Sequence, residues 1–236
     1  MIIGIDGAIN LMPLREQVYL RLKDQITRGL LHTGEFLDLR RLEEDMGTSR
    51  TPLRDALIQL ESEGFVSILP RRGVRVNGLT LDDIRHLYEM IGALEGVTVG
   101  SVFDRLGRRH LRKMRSLNDR MREAIDADRF DEYYDLNLDF HDVFLGLSDN
   151  ARLVRTVEIF KARLYDFPRR DRFVKEWEVR STGEHADFVD LLERGDSRGA
   201  ADFMRDVHWS FAVQEPYVRE YYFAGRDDDD SPAAER

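Results

Sequence analysis

Hydrophobic positions near the start of the chain recur at helical spacing. Leu14, Val18, Leu22 and Ile26 fall four residues apart, which predicts a helix over 13–27 with Pro13 in its first turn. Gly34 breaks the pattern. A short helix is predicted over 39–46 and ends at Gly47; a third follows Thr48-Ser49, carries Leu53, Ala56, Leu57 and Leu60 inward, and stops at Gly64. Ser49 suits its N-cap and Pro52 its first turn. The period then changes. Phe65 to Leu69 reads as one strand and Val74-Arg75-Val76 as another, with Pro70-Arg71-Arg72-Gly73 turning between them. Three helices and a hairpin are the order of a winged helix-turn-helix, with Asn77-Gly78 at its boundary.

From Leu81 to about Tyr222 the periodicity is helical throughout. Helices are predicted over 81–105, 108–126, 129–148, 150–165, 173–194 and 196–219, with breaks at Gly107, near Asp128, at Asp149-Asn150, near Pro168 and at Gly195. The expected fold is therefore mainly α. A winged helix-turn-helix with a small β-hairpin wing (10–79) precedes an all-α antiparallel helical bundle (80–222) and an acidic, disordered tail (223–236) that holds the run Asp227–Asp230.

Composition narrows the function classes. The 236 residues are 42% hydrophobic and 34% charged, and no apolar run reaches the length of a membrane span. The first ten residues lack the basic start and apolar stretch of a secretory signal. There is no cysteine, which excludes disulfides, thiolate metal sites and cysteine nucleophiles and fits a reducing cytoplasm. A net charge of −9 argues against a nucleic-acid binder only if charge is spread evenly. Much of the excess acid falls late in the chain.

Basic side chains instead cluster where a winged helix would read DNA. Arg50 and Arg54 are four apart, so they share one face of the third helix. Arginine is suited to a bidentate contact with guanine O6 and N7, and a recognition helix offers its N-terminal residues to base edges. The hydroxyls of Ser49 and Thr51 and the free N–H groups at the helix start suit a phosphate. Arg71 and Arg72 occupy the wing tip beside Gly73, where the backbone is free to approach a phosphate or the minor groove. The run Ser49-Arg50-Thr51-Pro52-Leu53-Arg54-Asp55-Ala56-Leu57, followed by Leu60-Glu61-Ser62-Glu63-Gly64-Phe65, resembles the recognition-helix signature of the GntR family of transcription regulators. The resemblance covers residues 13–79. It implies that Arg40, which opens the second helix, also reaches DNA.

The bundle carries a second constellation. Asn137 and His141 are four apart and share a helix face, while Asp139 points elsewhere. His185 is placed near the start of one helix and His208 late in the next, so antiparallel packing could bring these side chains together. The segments Asn137–His141, Glu184-His185 and Met204–His208 resemble the FCD effector domain of the FadR-like branch of that family. The resemblance implies a divalent metal, zinc or nickel, held by Asn137, His141, His185 and His208, with a small carboxylate effector completing the coordination. Glu95 is read as structural rather than as a ligand. Two departures stand out. Asn137 replaces a common Asp, which leaves the site more positive, and Ile91 stands where many relatives carry an effector-pairing arginine; Arg163 and Arg155 are candidate replacements.

The resemblance implies a ligand-responsive regulator, a repressor, that binds a palindromic operator as a homodimer in the cytoplasm. Two alternatives are a metalloenzyme in the bundle and an architectural DNA binder without an effector. Neither His-Glu-x-x-His nor Glu-x-x-His occurs, and no serine or cysteine triad is legible, so the expected answer is not an enzyme.

Overall fold

The computed structural model describes residues 12–165 and 173–223. They divide into two compact units, one ending at Gly78 and one beginning at Leu79. The acidic run Asp227–Asp230, the predicted tail and the break near Pro168 lie outside the described residues.

In the first unit, α1 (Leu14–Thr27), α2 (Leu39–Met46) and α3 (Arg50–Ser62) precede β1 (Val66–Leu69) and β2 (Gly73–Val76). The Asp38 side chain caps α2 by accepting from the Arg40 and Arg41 amides, and Gly47 ends it in the left-handed region at φ 60°. Val18, Leu22, Ile26, Leu42, Leu53, Leu57 and Leu60 close the core with Phe65, Val66, Val74 and Val76. Leu14, the first member of the predicted stripe, is 48% exposed. Each four-residue step turns about 40° beyond a full helical revolution. Leu14 has therefore swung off the face that Val18 to Ile26 bury.

The strands pair antiparallel, with Val66 opposite Val76 and Leu69 opposite Gly73. Gly73, assigned to the turn by sequence, is thus the first residue of β2. Residues 34–37 pair with the outer edge of β2 through Gly34 N–H to Val76 O (2.9 Å), Val76 N–H to Glu35 O (2.9 Å) and Leu37 N–H to Val74 O (2.8 Å). Sequence showed only a break at Gly34. The wing tip is a tight turn in which Arg72 N–H donates to Leu69 O at 3.1 Å and Arg71 takes φ 63°. A proline at the second position and positive φ at the third match a type II turn, where glycine is usual and an arginine is strained.

The second unit contains α4 (Leu81–Val102), α5 (Arg108–Asp126), α6 (Phe130–Leu145), α7 (Ala151–Tyr165), α8 (Lys175–Glu193), α9 (Ser197–Phe203) and α10 (Phe211–Phe223). A capping box starts α4, with Thr80 and Asp83 exchanging side-chain to backbone bonds. Breaks at Gly107, Asp128 (φ 54°) and Gly195 (φ 79°) separate the helices as expected. α5 packs on α6 and α8, while α4 packs against α6, α7, α9 and α10.

The predicted single helix over 196–219 is interrupted. After α9 the chain enters a π-helical turn, Met204–His208, closed by Trp209 N–H to Met204 O at 3.0 Å. α10 starts afresh at Phe211. A π turn inserts one residue into helical register and re-aims the side chains that follow. It fits here because α4 is glycine-lined opposite it: a Cβ on Gly92 would lie 2.8 Å from Trp209 Cβ, and one on Gly96 would lie 3.0 Å from Ala201 O.

Candidate functional site

The first unit offers a basic face. α3 buries Leu53, Ala56, Leu57 and Leu60, while Arg50, Thr51 and Arg54 are exposed in its first turns. Arg40, Ser49, Arg71, Arg72 and Gly73 are exposed as well. Elsewhere in this unit Arg28 is paired with Asp24 and Arg41 with Asp45, while Arg15 and Arg21 on α1 are exposed without an acidic partner among the described residues. Arg40, Arg50, Arg54 and Arg71 have no acidic partner among the described residues. Ser49 is the N-cap residue of α3, yet its hydroxyl makes no capping bond, a departure from its expected role. Its hydroxyl and the first amides of α3 therefore remain available to an external acceptor such as a phosphate.

The second unit gathers the predicted histidines. His141 on α6, His185 on α8 and His208 at the end of the π turn each offer a nitrogen, and these atoms lie within 4.8 Å of one another. All three rings are buried. His185 sits past the middle of α8, whose first residue is Lys175, rather than near its start. Asn137, one turn before His141, donates its amide to the Tyr165 hydroxyl at 3.3 Å, while its Oδ1 is buried without a partner.

Carboxylates orient two of the rings. Glu95 Oε2 lies 2.8 Å from His141 Nδ1 and Glu184 Oε2 lies 3.0 Å from His208 Nδ1. A carboxylate on Nδ1 fixes the proton there and turns the Nε2 lone pair away from it, the usual support of a metal-bound imidazole. Among the described residues His141 Nε2 and both nitrogens of His185 are buried without a partner, and the His185 ring is held by stacking on Phe140 at 4.1 Å. An unmade bond at a buried polar atom costs about 1–3 kcal/mol. A divalent cation would satisfy several such atoms together, so these residues fit the implied metal.

Charge in the centre is balanced before any cation enters. Burial pushes the Glu95 carboxyl up, but His141 and Lys161 outweigh it and hold the group well below the usual carboxylate range. The Lys161 ammonium lies 2.5 Å from Glu95 Oε1, and the Trp209 indole N–H donates to Oε2 at 2.7 Å. Burial lowers His141 to about 4 despite Glu95, and burial likewise lowers His185, so both rings are neutral at neutral pH. Neutral imidazole is the form that binds metal. Glu184 is held low against its burial by His208, Arg180 and Gln214. Lys161 was missed because a lysine on a surface-like helix reads as solvated. Neither suggested replacement for the arginine missing at Ile91 lines the small chamber that adjoins the histidines: Arg155 is exposed, and Arg163 is buried elsewhere. Ile91 itself is core.

A small chamber of about 50 Å³ adjoins the histidines and shares Asn137 and His208 with them. Its other walls include Tyr88, Tyr134, Trp177, Glu178, Tyr221 and Tyr222. Glu178 accepts from the Tyr134 hydroxyl at 2.9 Å.

Residues 86–208 match the FCD domain, and residues 14–76 match the bacterial regulatory proteins of the gntR family. The chain is 29% identical over 147 residues to the uncharacterized HTH-type transcriptional regulator YdhC of Bacillus subtilis, covering 62% of this chain and 66% of that protein. It is 25% identical over 150 residues to the HTH-type transcriptional repressor RspR of Escherichia coli, covering 64% and 66%. The chain thus spans just under two thirds of the length of these two relatives. With the Nta operon transcriptional regulator of Aminobacter aminovorans it shares 28% identity over 198 residues, 79% of this chain and 91% of that one. The solved structure of E. coli McbR/YncC has the same fold, with a TM-score of 0.69 at 19% identity over 89% of this chain and 99% of that chain.

Glu178 generates a pH prediction. Burial pushes its carboxyl up to about 7, against the Tyr133 and Tyr134 hydroxyls, which favour the ionised form. A folded value above the unfolded one means that the native state keeps a proton the unfolded chain releases. Stability therefore falls as pH rises from the unfolded value through about 7. Relative to Glu178→Gln, the wild type should lose up to about 3 kcal/mol between acidic and mildly alkaline pH. Urea unfolding of both proteins at pH 5 and pH 8 checks this; parallel pH dependence would contradict it.

Proposed function

The chain belongs to the GntR-family transcription regulators that carry an FCD domain, and from that premise we propose that it is a ligand-responsive repressor. In this reading it binds a palindromic operator as a homodimer, in the cytoplasm, and is modulated by a small molecule at a metal-containing helical unit. The observation that carries the reading is the exposed, acid-free pair Arg50 and Arg54 on the open face of α3. Arg54 and Arg50 are assigned to base edges, Ser49 and Thr51 to a phosphate at the helix start, Arg40 to the backbone, and Arg71, Arg72 and Gly73 to the wing contact. The repressor description of the RspR relative supports the sign of regulation. Among the described residues no helix is long and apolar enough to cross a membrane.

Asn137, His141, His185 and His208 would hold the metal, and imidazole donors suit zinc or nickel. When bound, the ion would supply a Lewis-acidic positive charge beside the chamber. Glu95 and Glu184 already have their own cationic partners, and Asn137 contributes no charge, so the centre would attract a donor from an effector. Because the matched families are regulators, the metalloenzyme alternative is set aside.

The homodimer has a candidate seam. On α4, Met90 (39% exposed) and Val97 (63%) lie outward with Ala93 and Gly100 at alternating three- and four-residue spacing. That is the spacing of a helix-to-helix seam, with small residues permitting close approach. A second copy is the occupant this argument favours, since two-fold symmetry also matches a palindromic site.

Arg50→Ala should weaken operator binding by about 1–3 kcal/mol and relax base preference. Titration against operator and scrambled DNA measures this, and unchanged discrimination would refute the assignment. The double variant His141→Ala, His208→Ala should lose most bound zinc or nickel by elemental analysis while the winged unit retains DNA affinity; full metal occupancy would overturn the ligand set. Val97→Asp should shift the protein toward monomer in sedimentation velocity, and a variant as dimeric as the wild type would place the seam elsewhere.

A further inference from the structure

The chamber beside the histidines has a chemical polarity that the metal reading does not explain. Glu178 is only 5% exposed, yet it forms no ion pair among the described residues. Every other buried carboxylate of the centre has a basic partner: Glu95 has Lys161 and Glu184 has Arg180. Among the described residues Glu178 receives only hydroxyl contacts, from Tyr133 and Tyr134. Such a carboxylate is costly to ionise where it stands, and an entering cation would repay that cost. The described wall holds no lysine or arginine, and eight of its fifteen lining residues are tyrosine or tryptophan.

Aromatic faces around a buried acid favour a cation, since ring quadrupoles attract an ammonium once water is removed. Glu178 and His185 stand seven residues apart on α8, two helical turns on one side, roughly 10 Å along the axis. The free volume of about 50 Å³ limits the occupant to a small group or a small molecule.

We propose that this chamber selects a small ligand bearing a cationic nitrogen, an ammonium seated against the Glu178 carboxylate and walled by tyrosine and tryptophan rings. This rests on reading the chamber as the effector site, and it names the class of effector. A metal-facing oxygen donor at the other end of such a ligand would make it an amino acid or a hydroxy- or oxo-amine rather than a simple carboxylic acid.

The chain contains only two tryptophans, and both Trp177 and Trp209 line this chamber, so intrinsic fluorescence reports on it directly. The experiment titrates the full-length protein with propylammonium, 1-propanol and propanoate, and repeats the series on Glu178→Gln. Propylammonium should bind at least tenfold more tightly than either of the others, and Glu178→Gln should erase that preference. Glutamine keeps the shape and an acceptor for Tyr134, and a thermal melt of the variant verifies folding; the ranking on the wild type tests the proposal without any variant. Tighter binding of propanoate or propanol, equal binding of all three, or no binding of propylammonium would each overturn it. Operator affinity measured with the same probes separates the two readings. An ammonium that binds through Glu178 without moving operator affinity would sink the effector site and leave the ligand class standing. A propanoate-driven change in operator affinity without ammonium binding would do the reverse.

Discussion

The helical unit depends on one buried carboxylate. Glu95 is fully enclosed, and an ionised group in that position is tolerable only when each oxygen is engaged. Its partners come from three separate elements: His141 from α6, Lys161 from α7, and Trp209 from the residue after the π turn. Removing one member of such a set leaves an uncompensated charge, a loss of roughly 3–5 kcal/mol in comparable buried pairs. The constraint works in both directions. α4 must carry the acid inward, and the helices around α4 must arrive in the register that meets it. His141 is oriented by this demand, so the geometry of the histidine centre follows from the packing of α4.

The close approach of the π turn to α4 belongs to the same constraint. Gly92 and Gly96 remove the side chains that would hold α9 and Trp209 away, and the extra residue in the turn then aims His208 and Trp209 toward the centre together. A regular α-helix through 204–208 would separate those two side chains by about 100° around its axis. The π turn ends in an irregular step at Trp209 and Ser210 before α10 begins, which lets both indole and imidazole face inward. Their burial and their contacts with Glu95 and Glu184 offset the loss of regular hydrogen bonding there.

Much of this was legible from the residues alone, and the exceptions share a cause. Helices, hairpin and breaks follow from local periodicity and turn chemistry, which is why α1 to α8 fall close to their expected bounds. Asn137 and His141 announce themselves because a four-residue spacing has a fixed geometric meaning. Lys161 did not, because its partner Glu95 lies on a distant helix and nothing local to α7 marks a lysine as buried. The strand-like pairing of 34–37 was hidden for a similar reason: it is made by backbone groups and leaves no alternation of side chains. The exposed position of Leu14 and the π turn both arise where a simple repeat overstates regularity. Glu178 also reads as an ordinary acidic residue near a helix start; only the packed tyrosines around it reveal that it has lost its water.

The negative net charge and the proposed DNA contact are reconciled by the same distinction between local and global properties. Attraction to phosphates falls off within about a Debye length, roughly 8–10 Å at physiological salt. What matters is therefore the charge on the reading face. There Arg40, Arg50 and Arg54 have no acidic partner among the described residues, whereas arginines of the helical unit such as Arg115 and Arg205 are held by aspartates and glutamates. For an effector to regulate, it must distinguish two arrangements of the protein, and tight binding alone shifts nothing. The helical unit has a natural element for that purpose in α4. It begins three residues after Gly78, where the first unit ends, is fixed at its start by the Thr80–Asp83 capping box, and carries Glu95 about four turns further on. A ligand that altered the centre would act on α4 through an interaction the helix cannot give up cheaply. The proposed effector, bound at the histidine centre or the chamber, would therefore act first on α4.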